Sequence, residues 1–300
     1  MPDDVMTENE LEELERLVLD ALAGDDTSRL HVLGYGEISV ALGWPVDEPR
    51  FVCKRTPSFT PEQFARYRDG VSSYIDRLRA SGLRVVDTTV MSVDRGDRVQ
   101  GYVVQPLLDS ASLGHNVLSA SAPDPSHPFL VALADVMSIV TPHLSVDAQV
   151  TNFAFDGVEL TLIDVGTPFH WDEDGTLLFE MAPFTRMVPA LLRGSVVREM
   201  TTAVERWRDG RGVAVDIVAN LHRQGLPEWV APTIAAMNER WDWSNPIEAL
   251  EAQLFYEEDL KTYPRLKRLQ AVERWWQQAV RRRTYDFFIH STFSDRRGTF

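Results

Sequence analysis

Residues 146–166 read VDAQVTNFAFDGVELTLIDVG, and no other stretch restricts the fold as much. Asp147 is followed five residues later by Asn152, and Asp164 lies twelve residues beyond that, followed by Val165 and Gly166. The intervening FAFDGVELTLIDV reads as a hairpin turning at Asp156 and Gly157. Such a hairpin carries the chain out and back, returning Asp164 to the vicinity of Asn152. The rest of the chain must supply a scaffold that holds two carboxylates and an amide together.

The upstream sequence predicts that scaffold. TENELEELERLVLDALAG (7–24) has apolar positions at helical spacing, a Thr7–Glu10 capping-box pattern and a closing Gly24. HVLGYGEISVALGW (31–44) and RFVCKR (50–55) then alternate as strands do, separated by the turn-forming WPVDEP. PEQFARYRDGVSSYIDRLRA (61–80) reads as a helix with Phe64, Tyr67, Val71, Tyr74, Ile75 and Leu78 on one face, Pro61 in its first turn and Gly82 past its end. LRVVDTTVMSV and RVQGYVVQPLL are two further strands joined by DRGD. Beyond about residue 108 the pattern becomes mainly helical, including 129–140 and several Trp- and Arg-rich helices over 178–285. The Ser/Ala/Pro-rich loop 109–128 separates the two regimes as a hinge. The expected fold class is α+β, with a β-rich lobe over 1–108 and a helical lobe over 109–300.

Composition narrows the function classes. A net charge of −15 and a pI near 4.9 argue against non-specific nucleic acid and against an anionic membrane surface. The basic clusters Arg281–Arg283 and Arg296–Arg297 read as solvated faces. No apolar run reaches the roughly 20 residues that span a bilayer, and the acidic N-terminus is unlike a signal peptide, so the expected location is the cytoplasm. Cys53, the single cysteine, excludes an intramolecular disulfide and a cysteine-based zinc cluster. It should pack in the small lobe, facing away from its neighbour Lys54. His143, His170, His222 and His290 lack zinc-site spacing and read as structural, and the tryptophans at 229, 241, 243, 275 and 276 read as packing residues.

A carboxylate and an amide oxygen suit magnesium, a hard cation that takes one or two protein carboxylates alongside phosphate oxygens. Phosphoryl transfer needs such a metal, a cradle for the nucleotide phosphates and a group that orients the attacking hydroxyl. On these residues the chain resembles the protein-kinase-like superfamily, and its aminoglycoside-phosphotransferase and choline-kinase branch more than the eukaryotic protein kinases. Asp147-Ala-Gln-Val-Thr-Asn152 resembles the family catalytic loop, and Asp164-Val-Gly166 its metal-binding Asp-x-Gly. LGYGEISVAL resembles the glycine-rich nucleotide loop, FVCKR places Lys54 on the strand of the phosphate-binding lysine, and VVQPLL resembles the segment that meets adenine. The resemblance covers roughly residues 30–170.

The resemblance implies ATP and Mg2+ as cofactors. It gives Asp147 the acceptor's proton and Lys54 the α- and β-phosphates. Gly34, Tyr35 and Gly36 close over the nucleotide, Gln105 lies beside it, and Asn152 and Asp164 bind the metal. Asp69, or alternatively Glu62, is the helix acid that pairs with Lys54. Each motif alone has a plainer reading: Gly-x-Gly marks a turn, a strand lysine is usually solvated, and Asp-x-Gly recurs by chance. Their shared order on strand, loop and hairpin is what points to a kinase-like fold.

The sequence also departs from the family. Ser145 stands where a histidine is usual, Tyr35 and Glu37 add bulk and charge to the nucleotide loop, and no Ala-Pro-Glu or activation segment follows Gly166. The expected function is transfer of a phosphoryl group to a hydroxyl of a small molecule, the acidic excess being compatible with a cationic acceptor. Two alternatives stay open: a pseudokinase or nucleotide-binding scaffold with a protein partner, and nucleotidyl transfer on the same fold.

Overall fold

The computed structural model describes residues 5–24, 26–36, 39–147, 149–283 and 285–287. Glu37, His290, Arg296 and Arg297 lie outside them. Five antiparallel strands form the small lobe: β1 (His31–Tyr35), β2 (Val40–Trp44), β3 (Phe51–Phe59), β5 (Thr89–Asp94) and β6 (Val99–Pro106), in the order β1-β2-β3-β6-β5. Helix α1 (Glu8–Gly24) starts at the reciprocal Thr7–Glu10 cap, in which the Glu10 carboxylate accepts from the Thr7 amide at 2.8 Å. Its Leu11, Leu14 and Val18 pack on one face of the sheet with Val40, Leu42, Cys53, Tyr102 and Val104.

Helix α2 (Pro61–Ala80) occupies the span its sequence predicts. Thr60 caps it, with the Gln63 side chain closing the box, Pro61 pre-sets the first turn and Gly82 leaves it with φ of 91°. The six apolar and aromatic residues of its inner face are all buried. They join a core that runs through the second sheet into the helices of the large lobe.

LRVVDTTVMSV does not form one strand. Its start, β4 (Arg84–Val85), pairs in parallel with β8 (Leu160–Leu162), and only β5 joins the main sheet. The cause is local: Val85 and Val86 are buried, the Val86 amide donates to the Leu162 carbonyl, and Arg84 reaches Asp156 and Glu159 at 2.8 Å each. The hairpin β7 (Phe153–Phe155)–β8 is thereby fastened to the end of α2. It turns where the sequence places the turn, with Gly157 at φ 96°.

Segment 109–128 is a packed connection rather than an open loop. A 3-10 turn at Ser110–Ser112 leads to α3 (Gly114–Ser119), whose Leu118 is fully buried. Gly114 lies so close to the 147–152 loop that a Cβ there would sit 2.4 Å from the Val150 carbonyl oxygen. The large lobe continues through α4 (Pro128–Val136), α5 (Arg193–Glu205), α6 (Gly210–Arg223), α7 (Val230–Arg240) and α8 (Ala249–Trp275), which runs into a π-helical turn at Trp276–Val280. Trp229 is fully buried, and Trp241 and Trp243 pack on the same core, whereas Trp275 and Trp276 stand exposed.

The chain then returns to the small lobe. The Arg55 guanidinium donates to the Asp286 carbonyl at 2.8 Å, Arg95 donates to the Asp286 carboxylate at 2.9 Å, and the Tyr285 hydroxyl donates to the Met187 carbonyl at 2.9 Å. Arg55 also holds Glu15 of α1 by two hydrogen bonds of 2.9 Å, and the Tyr102 hydroxyl completes this buried group with 2.5 Å to the Glu15 carboxylate. The fold is α+β and bilobal, an antiparallel-sheet lobe joined to a helical lobe.

Candidate active site

Strand register gives the floor of the site. Gly34 pairs with Ala41, Ala41 with Lys54 and Lys54 with Val103, so these residues form one row on one face of the sheet. Cys53 and Arg55, one position to either side, point to the opposite face and are buried beneath α1. Gly36 closes the β1–β2 turn, its amide donating to the Ser39 carbonyl at 2.8 Å.

Lys54 reaches across to the hairpin. Its ammonium lies 3.3 Å from a carboxylate oxygen of Asp164 and 3.3 Å from the Ile163 carbonyl. That same Asp164 oxygen accepts from the Gly166 amide at 3.2 Å, which fixes the turn after the strand. Asn152 lies beside this turn, because the Ile163 amide donates to the Asn152 carbonyl at 2.9 Å and Phe153 pairs with Leu162. Fully buried Val146 and Val150 anchor the loop on either side of Asp147. The Asp147 carboxylate accepts from the Gln149 amide group at 3.2 Å.

Tyr74 marks where the two carboxylates converge. Burial raises its hydroxyl well above the usual tyrosine range, and the charges of Asp147 and Asp164 add to that shift. Its hydroxyl donates to the Ser145 carbonyl at 2.8 Å, and two turns earlier on the same face of α2 the Tyr67 hydroxyl donates to the Gly166 carbonyl at 2.8 Å. Tyr67 is likewise raised, by burial and then by Asp164. Two phenols of α2 thus hold the backbone just before Asp147 and at the Asp164–Gly166 turn. They were legible as part of an apolar helix face, but nothing in their spacing distinguished a positioning hydroxyl from a packing ring.

Three sequence assignments are corrected. Asp69 does not meet Lys54: its side chain is 71% exposed and pairs with its neighbour Arg68. Glu62 is also exposed, so no carboxylate of α2 faces the lysine, since the inner positions are taken by Phe64, Tyr67, Val71 and Tyr74. Gln105 does not offer its amide nitrogen to a nucleotide; that nitrogen donates to the Ile163 carbonyl at 2.8 Å and to the Thr88 hydroxyl at 3.0 Å, tying hairpin to sheet. Tyr35 packs with the α1 cluster, so its ring lies on the wrong side of the sheet to crowd phosphates.

Ser145, in the position of the usual histidine, is fully buried. A different histidine stands close by: His170 is fully buried, its ring centroid 5.7 Å from that of Tyr74, and its chain neighbour Phe169 accepts from the Ser145 amide at 2.9 Å. Burial, and then the charge of Arg77, depress its pKa to about 4. Neither ring nitrogen has a partner among the described residues.

Among the described residues no cluster of three or more His, Cys, Asp or Glu side chains gathers to hold a metal by itself. Asp164 and Asn152 lie on neighbouring segments, and one carboxylate with one amide oxygen would suit magnesium only together with phosphate oxygens. The second carboxylate oxygen of Asp164 takes no part in the Lys54 and Gly166 contacts.

Among curated proteins none matches the chain. Solved structures similar to it include the GDP and kanamycin complex of APH(2")-IIia, at 13% identity over 76% of this chain and 98% of that one, with a TM-score of 0.34. The GDP complex of wild-type aminoglycoside 2'-phosphotransferase-IIIa is 12% identical over 78% and 98%, with a TM-score of 0.35. WbdD is 13% identical over 75% of this chain but 48% of its own length, with a TM-score of 0.33. At these identities and scores the likenesses add nothing to the chemistry read from the residues. Residues 13–282 match DUF6206, described as a family of unknown function. That span runs from within α1 past the π-helical turn, and the chain therefore belongs to the DUF6206 family.

Proposed function

We propose that this chain is an ATP- and magnesium-dependent phosphotransferase acting on a hydroxyl of a small molecule. The observation that carries this reading is the contact of Lys54 on the sheet with Asp164 on the hairpin at 3.3 Å, beside a loop presenting Asp147 and Asn152. Residues 1–108 act as the nucleotide lobe and 109–300 as the acceptor lobe. Lys54 holds phosphate oxygens, and the backbone from Gly34 to Gly36 covers them. Asp147 orients the acceptor hydroxyl and takes its proton as the oxygen bonds to the γ-phosphorus and the bond to the leaving diphosphate breaks. Asp164 and Asn152 hold magnesium, which when bound neutralises charge on the phosphates.

One observation favours a second reading, a nucleotide-binding scaffold without turnover. Lys54 is engaged by Asp164 itself, no α2 acid is there to draw it away, and Ser145 replaces the usual histidine. A thermal-shift titration with ATP, with and without magnesium, separates the cases, because a ligand of the folded state raises its stability by about 2.7 kcal/mol at a hundred times Kd. Phosphotransfer requires a magnesium-dependent shift that Asp164→Asn abolishes, together with ATP consumption lost in Asp147→Asn. A magnesium-dependent shift with no turnover on any hydroxyl acceptor supports the scaffold. No shift at millimolar ATP rejects both.

A further inference from the structure

The second half of α8, with its π-helical turn, buries two polar side chains and exposes two tryptophans. Gln270 and Glu273 are buried against the large lobe, where the Gln270 amide meets the Met187 sulfur and Glu273 meets Arg193 at 3.8 Å. Val272, Trp275, Trp276 and Val280 face solvent, with Trp275 60% and Trp276 45% exposed. At about 100° per residue, Val272, Trp275 and Trp276 share one arc of roughly 100°, turned away from Gln270 and Glu273. Large apolar side chains displayed side by side on a surface mark a site of interaction.

Charge gives the occupant. Residues 261–283 hold eight Lys and Arg against a single acid, Glu273, so of the chain's 30 basic and 45 acidic residues, 22 and 44 lie elsewhere. Arg265, Arg268, Arg281, Arg282 and Arg283 are exposed. The whole-chain charge of −15, which argues against an anionic surface, therefore hides a strong local reversal. Two copies packed face to face on this helix would oppose their arginine clusters. Tryptophan, aliphatic side chains and arginine on one exposed helix are instead the chemistry of the lipid headgroup boundary. We propose that the face of α8 and its π-helical turn docks peripherally on an anionic phospholipid bilayer. The acidic remainder is repelled from the same surface, which orients the approach, and no described helix is long and apolar enough to cross the membrane.

The test is co-sedimentation of the full chain with vesicles of phosphatidylcholine alone and with about a third phosphatidylserine. Wild type should pellet with the anionic vesicles only, and less so as salt rises. Each basic residue near such a surface is worth about fivefold in partitioning, so replacing Arg281, Arg282 and Arg283 together by Gln should weaken binding on the order of a hundredfold. Trp275→Ala with Trp276→Ala should release the protein while leaving its melting temperature in place, because these side chains are exposed. Equal binding to both vesicle types, or to neither, overturns the proposal. So does a concentration-dependent dimer that the tryptophan variant abolishes, which would make the face a contact between protein chains.

Discussion

Lys54 has two oxygen partners, the Asp164 carboxylate and the Ile163 carbonyl, and both come from the far side of the cleft. Its removal should therefore be felt in nucleotide binding more than in folding: Lys54→Ala should lose most of the ATP-dependent rise in melting temperature with little change in the free protein. Tyr67→Phe makes the opposite trade. It deletes a buried donor and strands the Gly166 carbonyl, so we expect a loss of about 1–2 kcal/mol in chemical denaturation and a weaker magnesium-dependent shift. Cys53 offers a third check. Burial, then the charge of Glu10, pushes its thiol up to about 12, so it should resist thiol reagents at neutral pH until the protein unfolds. At this scale the meeting of Lys54 with Asp164 was legible because family order and side-chain chemistry coincide. Asp69, Tyr35 and Gln105 were not, because each assignment needed to know which way a side chain points once helix and sheet are packed.

Among the elements, α2 was read to the residue because its signals are local: a capping box, a proline at the first turn and one unbroken apolar face. The divided strand at 84–94 and the helix α3 within 109–128 were not readable. Both arise from contacts distant in sequence, Val86 with Leu162 and Gly114 with Val150, that no window of neighbours contains. The same holds for α1. Its amphipathic pattern was plain, but the burial of Glu15 on its inner face makes sense only with Arg55 opposite. Removing one partner, as in Glu15→Leu, leaves the buried Arg55 charge with Asp286 as its remaining acid, 3.7 Å away, and should cost about 3 kcal/mol. The double variant Glu15→Leu, Arg55→Met should recover much of that in the same denaturation measurement.

For the molecule as a whole, His170 sets an acid limit. It is held neutral by burial, with a pKa near 4 in the fold against about 6.5 when unfolded. The unfolded chain therefore binds the extra proton between those values, and stability falls as pH drops from 6.5 towards 4, by up to about 3 kcal/mol. His170→Phe should flatten that part of the pH profile if the ring is accommodated, as read by melting temperature against pH. The last consequence concerns synthesis. Arg55 finds Glu15 forty residues before it in the chain, but its other partner, Asp286, is 231 residues later. At about 5–20 residues per second a ribosome delivers that partner roughly ten to fifty seconds after Arg55 itself. Until then the side chains of Arg55, Ser58 and Arg95 lack the partner that Asp286 supplies, and a nascent chain must satisfy or shield those groups by other means.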